Sequence, residues 1–176
     1  MNPDSYVFPL GKGDYIRGER PHVECILCAV NQGSAAVDRL LVGESELMAA
    51  SINLYPYNSG HLLLFPKRHI LDIRQLSPEE NSQLWAMTNI FLDLVENLYH
   101  PKGFNVGYNL GDSSGASIPH LHMQIIPRYH NEVGMIDLIG GARVVIEDPK
   151  VTLKRLRAGL ESFLEKKEIE WLKVSN

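Results

Sequence analysis

The chain has 176 residues, enough for one domain with a substantial core, and its 44% apolar and 22% charged content are those of an ordinary globular protein. A formal net charge of -4, with acids and bases interleaved, excludes a non-specific binder of nucleic-acid polymers, which needs a basic surface to displace counterions. A small anionic ligand is still compatible, because a few local donors suffice for one phosphate. No apolar run has the length to cross a bilayer, and no basic segment followed by an apolar one opens the chain. The expectation is a cytoplasmic protein that engages no membrane.

Residues 1–20 mix Gly, Pro and charge and predict an irregular arm. The only cysteines follow, as Cys25-Ile26-Leu27-Cys28, too few for a disulfide framework. By themselves they are half of a metal site, a redox pair, or two buried small apolar residues. Short apolar stretches at 39–42 and 47–50 predict two strands around a turn at 43–45. The Pro, Asn and Gly of 53–60 predict a loop, and 61–65 a central strand stopped by Pro66.

The clearest helix starts at Ser77, with Pro78 at its first position and Glu80 completing a Ser-x-x-Glu capping box. Leu84, Met87, Phe91, Leu94, Val95 and Leu98 recur every three or four residues and define one buried face through Tyr99. Phe104, Val106 and Tyr108 then alternate with polar or small residues, as in a half-buried strand. Residues 110–119 are small and polar, a loop, and 120–126 return to a strand closed by Pro127. A loop with a short segment at 144–146 leads to a charged helix from 151 to about 172. The pattern predicts an α+β fold with a mainly antiparallel sheet of about five strands, one long helix and a C-terminal helix. The expected division is an arm at 1–22, a catalytic domain at 23–149, and a helix at 150–176 packed on that domain.

The chemistry concentrates in His120-Leu121-His122-Met123-Gln124-Ile125-Ile126. On a strand, Leu121, Met123 and Ile125 face the core, while His120, His122 and Gln124 line the other face, roughly 7 Å apart. Two imidazoles and a carboxamide in a row can bind an anion, a metal or a phosphate. Two alternating histidines are equally compatible with the solvated face of an edge strand. The preceding Gly/Ser loop, whose N–H groups and hydroxyls can cradle phosphate, tips the balance.

This stretch resembles the histidine-triad superfamily signature, in which three histidines alternate with apolar residues. Gln124 stands where the third histidine is expected, as in the nucleotidyltransferase and diadenosine polyphosphate phosphorylase branches. The resemblance extends to residues 53–61, to Pro66-Lys67-Arg68-His69, to Gly107-Tyr108-Asn109-Leu110-Gly111 and to residues 139–144, covering most of 23–147.

It implies that His122 is a nucleophile that attacks phosphorus and transiently carries a nucleotidyl group, probed by its neutral lone pair near pH 7. A backbone carbonyl can hold its other nitrogen as N–H. Gln124 cannot act as an acid in the way a histidinium can, but its amide can stabilise charge on a non-bridging oxygen. That favours leaving groups needing little protonation, and so a transferase or phosphorylase over a phosphoramidate hydrolase. Asn109 and Ser117 are expected at the same phosphate, His61 beside it, and Asn53 at the ribose, where relatives carry an acid.

The resemblance also implies a structural zinc held by Cys25, Cys28, His69 and His120, with iron conceivable in the same set. Superfamily members pair as homodimers, an expectation that extends here. The competing reading is a nucleotide-binding sensor or partner-binding module with little chemistry.

Overall fold

A computed structural model describes residues 21–130 and 147–175. The arm expected at 1–20 and the segment expected at 144–146 lie outside the described residues. Elements follow in the order α1 (Ile26–Asn31), β1 (Leu41–Glu44), β2 (Met48–Ile52), β3 (Leu62–Pro66), α2 (Pro78–Tyr99), β4 (Gly103–Tyr108), β5 (Met123–Arg128), α3 (Pro149–Lys167) and β6 (Lys173–Val174). One antiparallel sheet has the order β4-β5-β3-β2-β1-β6. Six strands replace the expected five or so, because the chain after α3 turns back and adds β6 to β1.

Residues facing each other across an antiparallel pair share a face of the sheet. Leu41, Ser51, Leu63, Gln124 and Gly107 are consecutive partners from β1 to β4 and therefore form one row. Ala50, Leu64, Met123 and Tyr108 form a row on the opposite face. That opposite face carries the main core, where Met48, Leu62, Leu64, Met123 and Ile125 meet Leu84, Met87, Phe91 and Leu94 of α2 and Leu156, Leu160 and Leu164 of α3. Among the described residues the first face is covered by α1, with Leu27 and Val30 on Leu41, Ala49, Leu63 and Phe65, and by Val37 and Ile118 of the loops.

The α2 boundary follows the capping signals. Ser77 Oγ accepts from the Glu80 N–H, and Glu80 returns a bond to the Ser77 N–H. The last helix spans Pro149–Lys167, not 151 to about 172. Asp148 caps its start, and Glu168 turns left-handed at φ 53° to end it, which frees Leu172 to pack and Lys173 to pair. Gly43, expected in a turn, belongs to β1. A Cβ there would lie 2.7 Å from Leu160 Cδ2, so it is the absence of a side chain that lets α3 sit on this strand. The turn is displaced to 45–47, where Ser45 caps Met48. Two strand starts are also displaced by a residue, since β2 opens at Met48 and not at Leu47, and β3 at Leu62 and not at His61.

Strand β4 is half-buried as expected through Phe104 and Tyr108, which pack on the core, although it is the sheet's outer strand and Val106 between them is 41% exposed. One strand expectation needs correction. Strand β5 begins at Met123, not His120, and continues through Pro127 to Arg128. The backbone just before it bonds to loops instead, with the His120 N–H on Ile118 O and the Leu121 N–H on Ile70 O. Residues 120–122 are therefore held by the chain beside α1 and not by a ladder.

Arg68 fastens that neighbouring chain to α2. Its Nε and Nη2 donate to the two carboxylate oxygens of buried Glu80 at 3.1 and 2.8 Å. The Arg68 hydrogen bonds lower the Glu80 pKa despite burial. A lowered carboxyl pKa contributes stability above its unfolded value and loses it as pH falls through the folded one. Glu80→Gln should therefore cost about 1–2 kcal/mol at neutral pH. In denaturant titrations the gap to wild type should close once the Glu80 carboxyl of the wild type is protonated; a gap equal at acid and neutral pH would contradict this.

Candidate active site and metal centre

Helix α1 brings the two cysteines together. Cys25 is its N-cap and Cys28 lies in its first turn, with the Cys28 N–H pointing at Cys25 Sγ. His69 comes from the chain after β3, and His120 from the chain before β5. Cys28 Sγ lies 3.3 Å from His69 Nδ1, while His120 Nδ1 lies 3.4 Å from Cys25 Sγ and 3.5 Å from Cys28 Sγ. One donor atom from each of the four lies within 4.8 Å of the others. A tetrahedron with metal–sulfur and metal–nitrogen bonds of normal length has sulfur–nitrogen edges of about 3.5 Å. The donor set fits a metal ion.

The surroundings prepare those donors. His120 Nε2–H donates to Pro66 O at 2.8 Å, which leaves Nδ1 as the bare nitrogen facing the thiols. Burial, against the pull of that hydrogen bond, lowers the His120 pKa to about 4 and keeps the ring neutral. Burial and the adjacent Cys25 sulfur push the Cys28 thiol up to about 11, the crowding that a cation between the sulfurs would relieve. His69 is exposed and its ring meets that of His120 edge-on, 5.1 Å between centroids.

Two residues on, His122 is 7% exposed. Its Nδ1 lies 2.8 Å from His120 O, a distance that assigns the proton to Nδ1 and leaves Nε2 with a lone pair. Burial lowers its pKa, partly offset by that hydrogen bond, so the ring is neutral near pH 7. Gln124, half-buried on β5, faces the same side of the sheet as Leu63 and Ser51.

Beside this row opens a cavity of about 400 Å³. Leu27 and Val30 of α1, Leu40, Ile52 and Leu63 give it apolar walls, and Ser51, Asn53 and Ser117 supply polar atoms. The structure thus gathers Asn53 and Ser117 at one cavity and the four metal-type donors in one cluster. Asn109 is not among the cavity's walls; it is half-buried one residue beyond β4.

His61 is buried and belongs to the loop that Asn53 opens. Its Nδ1 receives the Tyr57 N–H at 3.2 Å and lies 3.4 Å from Asn53 Nδ2, and Tyr57 stacks on its ring. Neither this pairing nor the role of Pro66 O was signalled in the sequence, because both join side chains to atoms of distant or irregular backbone.

The HIT domain model matches residues 34–131 of the chain. An AP-4-A phosphorylase from Mycobacterium tuberculosis is 40% identical over 107 residues, 60% of this chain and 55% of that protein. An asymmetrical bis(5'-nucleosyl)-tetraphosphatase from Schizosaccharomyces pombe is 30% identical over 95 residues, 54% of this chain and 52% of that protein. The chain thus spans about half the length of these curated relatives. Among solved structures, a zinc-bound histidine triad family protein from Mycobacterium smegmatis superimposes with a TM-score of 0.66 at 21% identity, over 81% of this chain and 97% of that one. A histidine triad nucleotide-binding protein from Sulfolobus tokodaii does so at 0.69 and 24%, over 84% and 99%. These two likenesses show the fold.

Purified protein should carry about one metal ion per chain, and Cys28→Ser should lose most of it, by elemental analysis. At metal concentrations a hundredfold above Kd, binding stabilises by about 2.7 kcal/mol. Stripping the metal should then lower Tm by about 5–10 °C. Full metal content in Cys28→Ser would remove Cys28 from the ligand set.

Proposed function

Because this chain belongs to the HIT domain family, we propose that it transfers a nucleotidyl group from a dinucleoside polyphosphate, or a nucleoside phosphate, to phosphate or water through His122. The observation that carries this reading is the imidazole whose Nδ1–H is tied to His120 O while Nε2 keeps its lone pair.

In the first half-reaction His122 Nε2 attacks the α-phosphorus. A phosphorus–nitrogen bond forms, the bond to the leaving phosphate oxygen breaks, and that oxygen departs with the electron pair. The ring becomes cationic, and the contact from Nδ1–H to His120 O becomes a charge-assisted hydrogen bond that stabilises it. The Gln124 amide donates to a non-bridging oxygen as charge develops. A phosphate oxygen, or a water oxygen that gives up a proton to solvent, then attacks phosphorus, the phosphorus–nitrogen bond breaks with its electron pair going to Nε2, and neutral His122 returns. A nucleoside phosphate leaves readily as an anion, which suits a site where an amide stands in place of a third histidine.

The apolar cavity suits a nucleobase, with Asn53 at the sugar and Ser117 and Asn109 toward the phosphates. His61 supports this site through Asn53. Similarity to the phosphorylase and tetraphosphatase supports dinucleoside polyphosphates as the substrate class.

The ion we assign to Cys25, Cys28, His69 and His120 is zinc, since two thiolates and two imidazoles suit a structural tetrahedral site, and a neighbour of the same fold is zinc-bound. When bound, zinc would fix the four side chains and leave no position open for water. The chain's own His120 passes that rigidity to His122.

We further propose that two copies pair through the outer edge of β4, where Val106 is 41% exposed, and through α2, where Trp85 is 54% exposed.

Two measurements test these readings. Labelled diadenosine tetraphosphate, quenched in alkali, should leave an acid-labile nucleotidyl group on histidine. His122→Asn should abolish that label and lower turnover at least about a thousandfold, and Gln124→Ala should lower it about 10²- to 10³-fold. Product analysis with added phosphate separates phosphorolysis from hydrolysis, while unimpaired turnover by His122→Asn would rule out the covalent route. Sedimentation should give twice the chain mass, falling to one chain when Val106 is replaced by Asp; a wild-type monomer would refute the pairing.

A further inference from the structure

As a Cys-x-x-Cys pair, Cys25 and Cys28 suit a metal site and a redox pair alike. The two roles exclude each other in time, because a cation needs thiolates and a sulfur in a disulfide is no longer one. Which role is open to them depends on what can reach the sulfurs.

The four donors are not equally sheltered. His120 is 3% exposed and held through Nε2 by Pro66 O. Cys25 is buried at the start of α1, whereas Cys28 is half-buried and His69 exposed. A hollow of about 580 Å³ opens on this side, bordered by Cys25, Cys28 and His69 together with Glu24, Gln32 and Ser34. It shares no wall residue with the cavity that Asn53 lines, and His120 does not border it. A small molecule from solvent can therefore meet sulfur without entering the proposed nucleotide site.

The sulfurs are also close enough to join. Cys25 Sγ lies 3.5 Å from the Cys28 amide nitrogen, and the donor atoms of the cluster all lie within 4.8 Å of one another. A disulfide needs about 2.0 Å between sulfurs. Cys25 stands outside the helical turn on extended backbone, φ -145° and ψ 122°, so rotation of its side chain with a small backbone shift closes the gap.

We infer that Cys28 and Cys25 form a hydroperoxide-reactive dithiol that releases the metal when it is oxidised. This rests on the metal assignment proposed above. The more open Cys28 thiolate attacks the terminal oxygen of the hydroperoxide. A sulfur–oxygen bond forms, the oxygen–oxygen bond breaks, and the departing alkoxide or hydroxide takes a proton from solvent. The Cys25 thiolate then attacks the Cys28 sulfur, a sulfur–sulfur bond forms, and hydroxide leaves to be protonated. The two thiolates together lose two electrons, and the peroxide gains them. Two neutral imidazoles then stand in place of four ligands, too few for a structural tetrahedral site. Oxidation thereby removes the thiolates that face His120 Nδ1, in the residue whose carbonyl holds the His122 proton.

The zinc-loaded full chain, kept from air and given one equivalent of hydrogen peroxide, tests this. A chromogenic chelator should register release of about one zinc per chain. Non-reducing peptide mapping should find residues 25 and 28 linked within one chain, which has no other cysteine. Dithiothreitol followed by zinc should restore the metal content. Limiting iodoacetamide on the zinc-loaded chain should label Cys28 at least about tenfold faster than Cys25. Zinc retained under excess peroxide, zinc released with sulfinate or an interchain disulfide instead, or equal labelling of the two cysteines overturns the dithiol and leaves the metal assignment intact. A chain that takes up no zinc overturns both.

Discussion

Three contacts of His120 tie the rest of the site together. Nδ1 faces the two cysteines, Nε2–H is held by Pro66 O, and the backbone carbonyl receives His122 Nδ1–H. Ring and carbonyl belong to one residue, so whatever fixes the ring also fixes the acceptor that sets the tautomer of its neighbour. A neutral imidazole can carry its proton on either nitrogen, and only one tautomer presents a lone pair outward. Cysteines near residue 25 and a proline at 66 thus bear on the nitrogen of a side chain at 122.

The sheet divides its labour between its faces. One face is buried under two long helices and holds the large apolar cluster. Among the described residues the other carries the six residues of α1 with Val37 and Ile118, and there lie buried Ser51, half-buried Gln124 and the cavity walls. A face left largely unpacked by helices is free to hold a ligand, whereas the packed one supplies stiffness. Helix α3 and β6 lie beyond the residues matched by the domain family, yet Leu156 and Leu160 are wholly buried. Glycine makes the fit possible: a Cβ at Gly159 would stand 2.7 Å from Leu98 Cδ1, and one at Gly43 equally close to Leu160.

Burial also shapes the chemistry. His122 and His120 are both held neutral because their charged forms would lose hydration. Neutrality suits the role proposed for each, a lone pair toward a metal in one ring and toward phosphorus in the other. Arg68 shows the reverse situation, where an ion pair on a buried carboxylate anchors the segment leading to His69.

Much of this was legible in the residues alone. The capping box at Ser77 and the spacing of Leu84, Met87, Phe91 and Leu94 determine α2, because capping and amphipathic period are local properties. The alternation around His122, with Gln124 after it, carried the chemistry and the family, and the apolar faces of Met123 and Ile125 were assigned from the same period. Tertiary structure decided the rest. Residues 120 and 121 leave the ladder because Ile118 O and Ile70 O claim their amides, and no spacing in the chain encodes Ile70, a partner about fifty residues away. Gly43 reads as a turn until α3 is seen lying on it, and the exposure of Val106 follows only from the sheet order that places β4 outermost. Periodicity reports which way a side chain points along its own element; what it then meets depends on where the other elements pack.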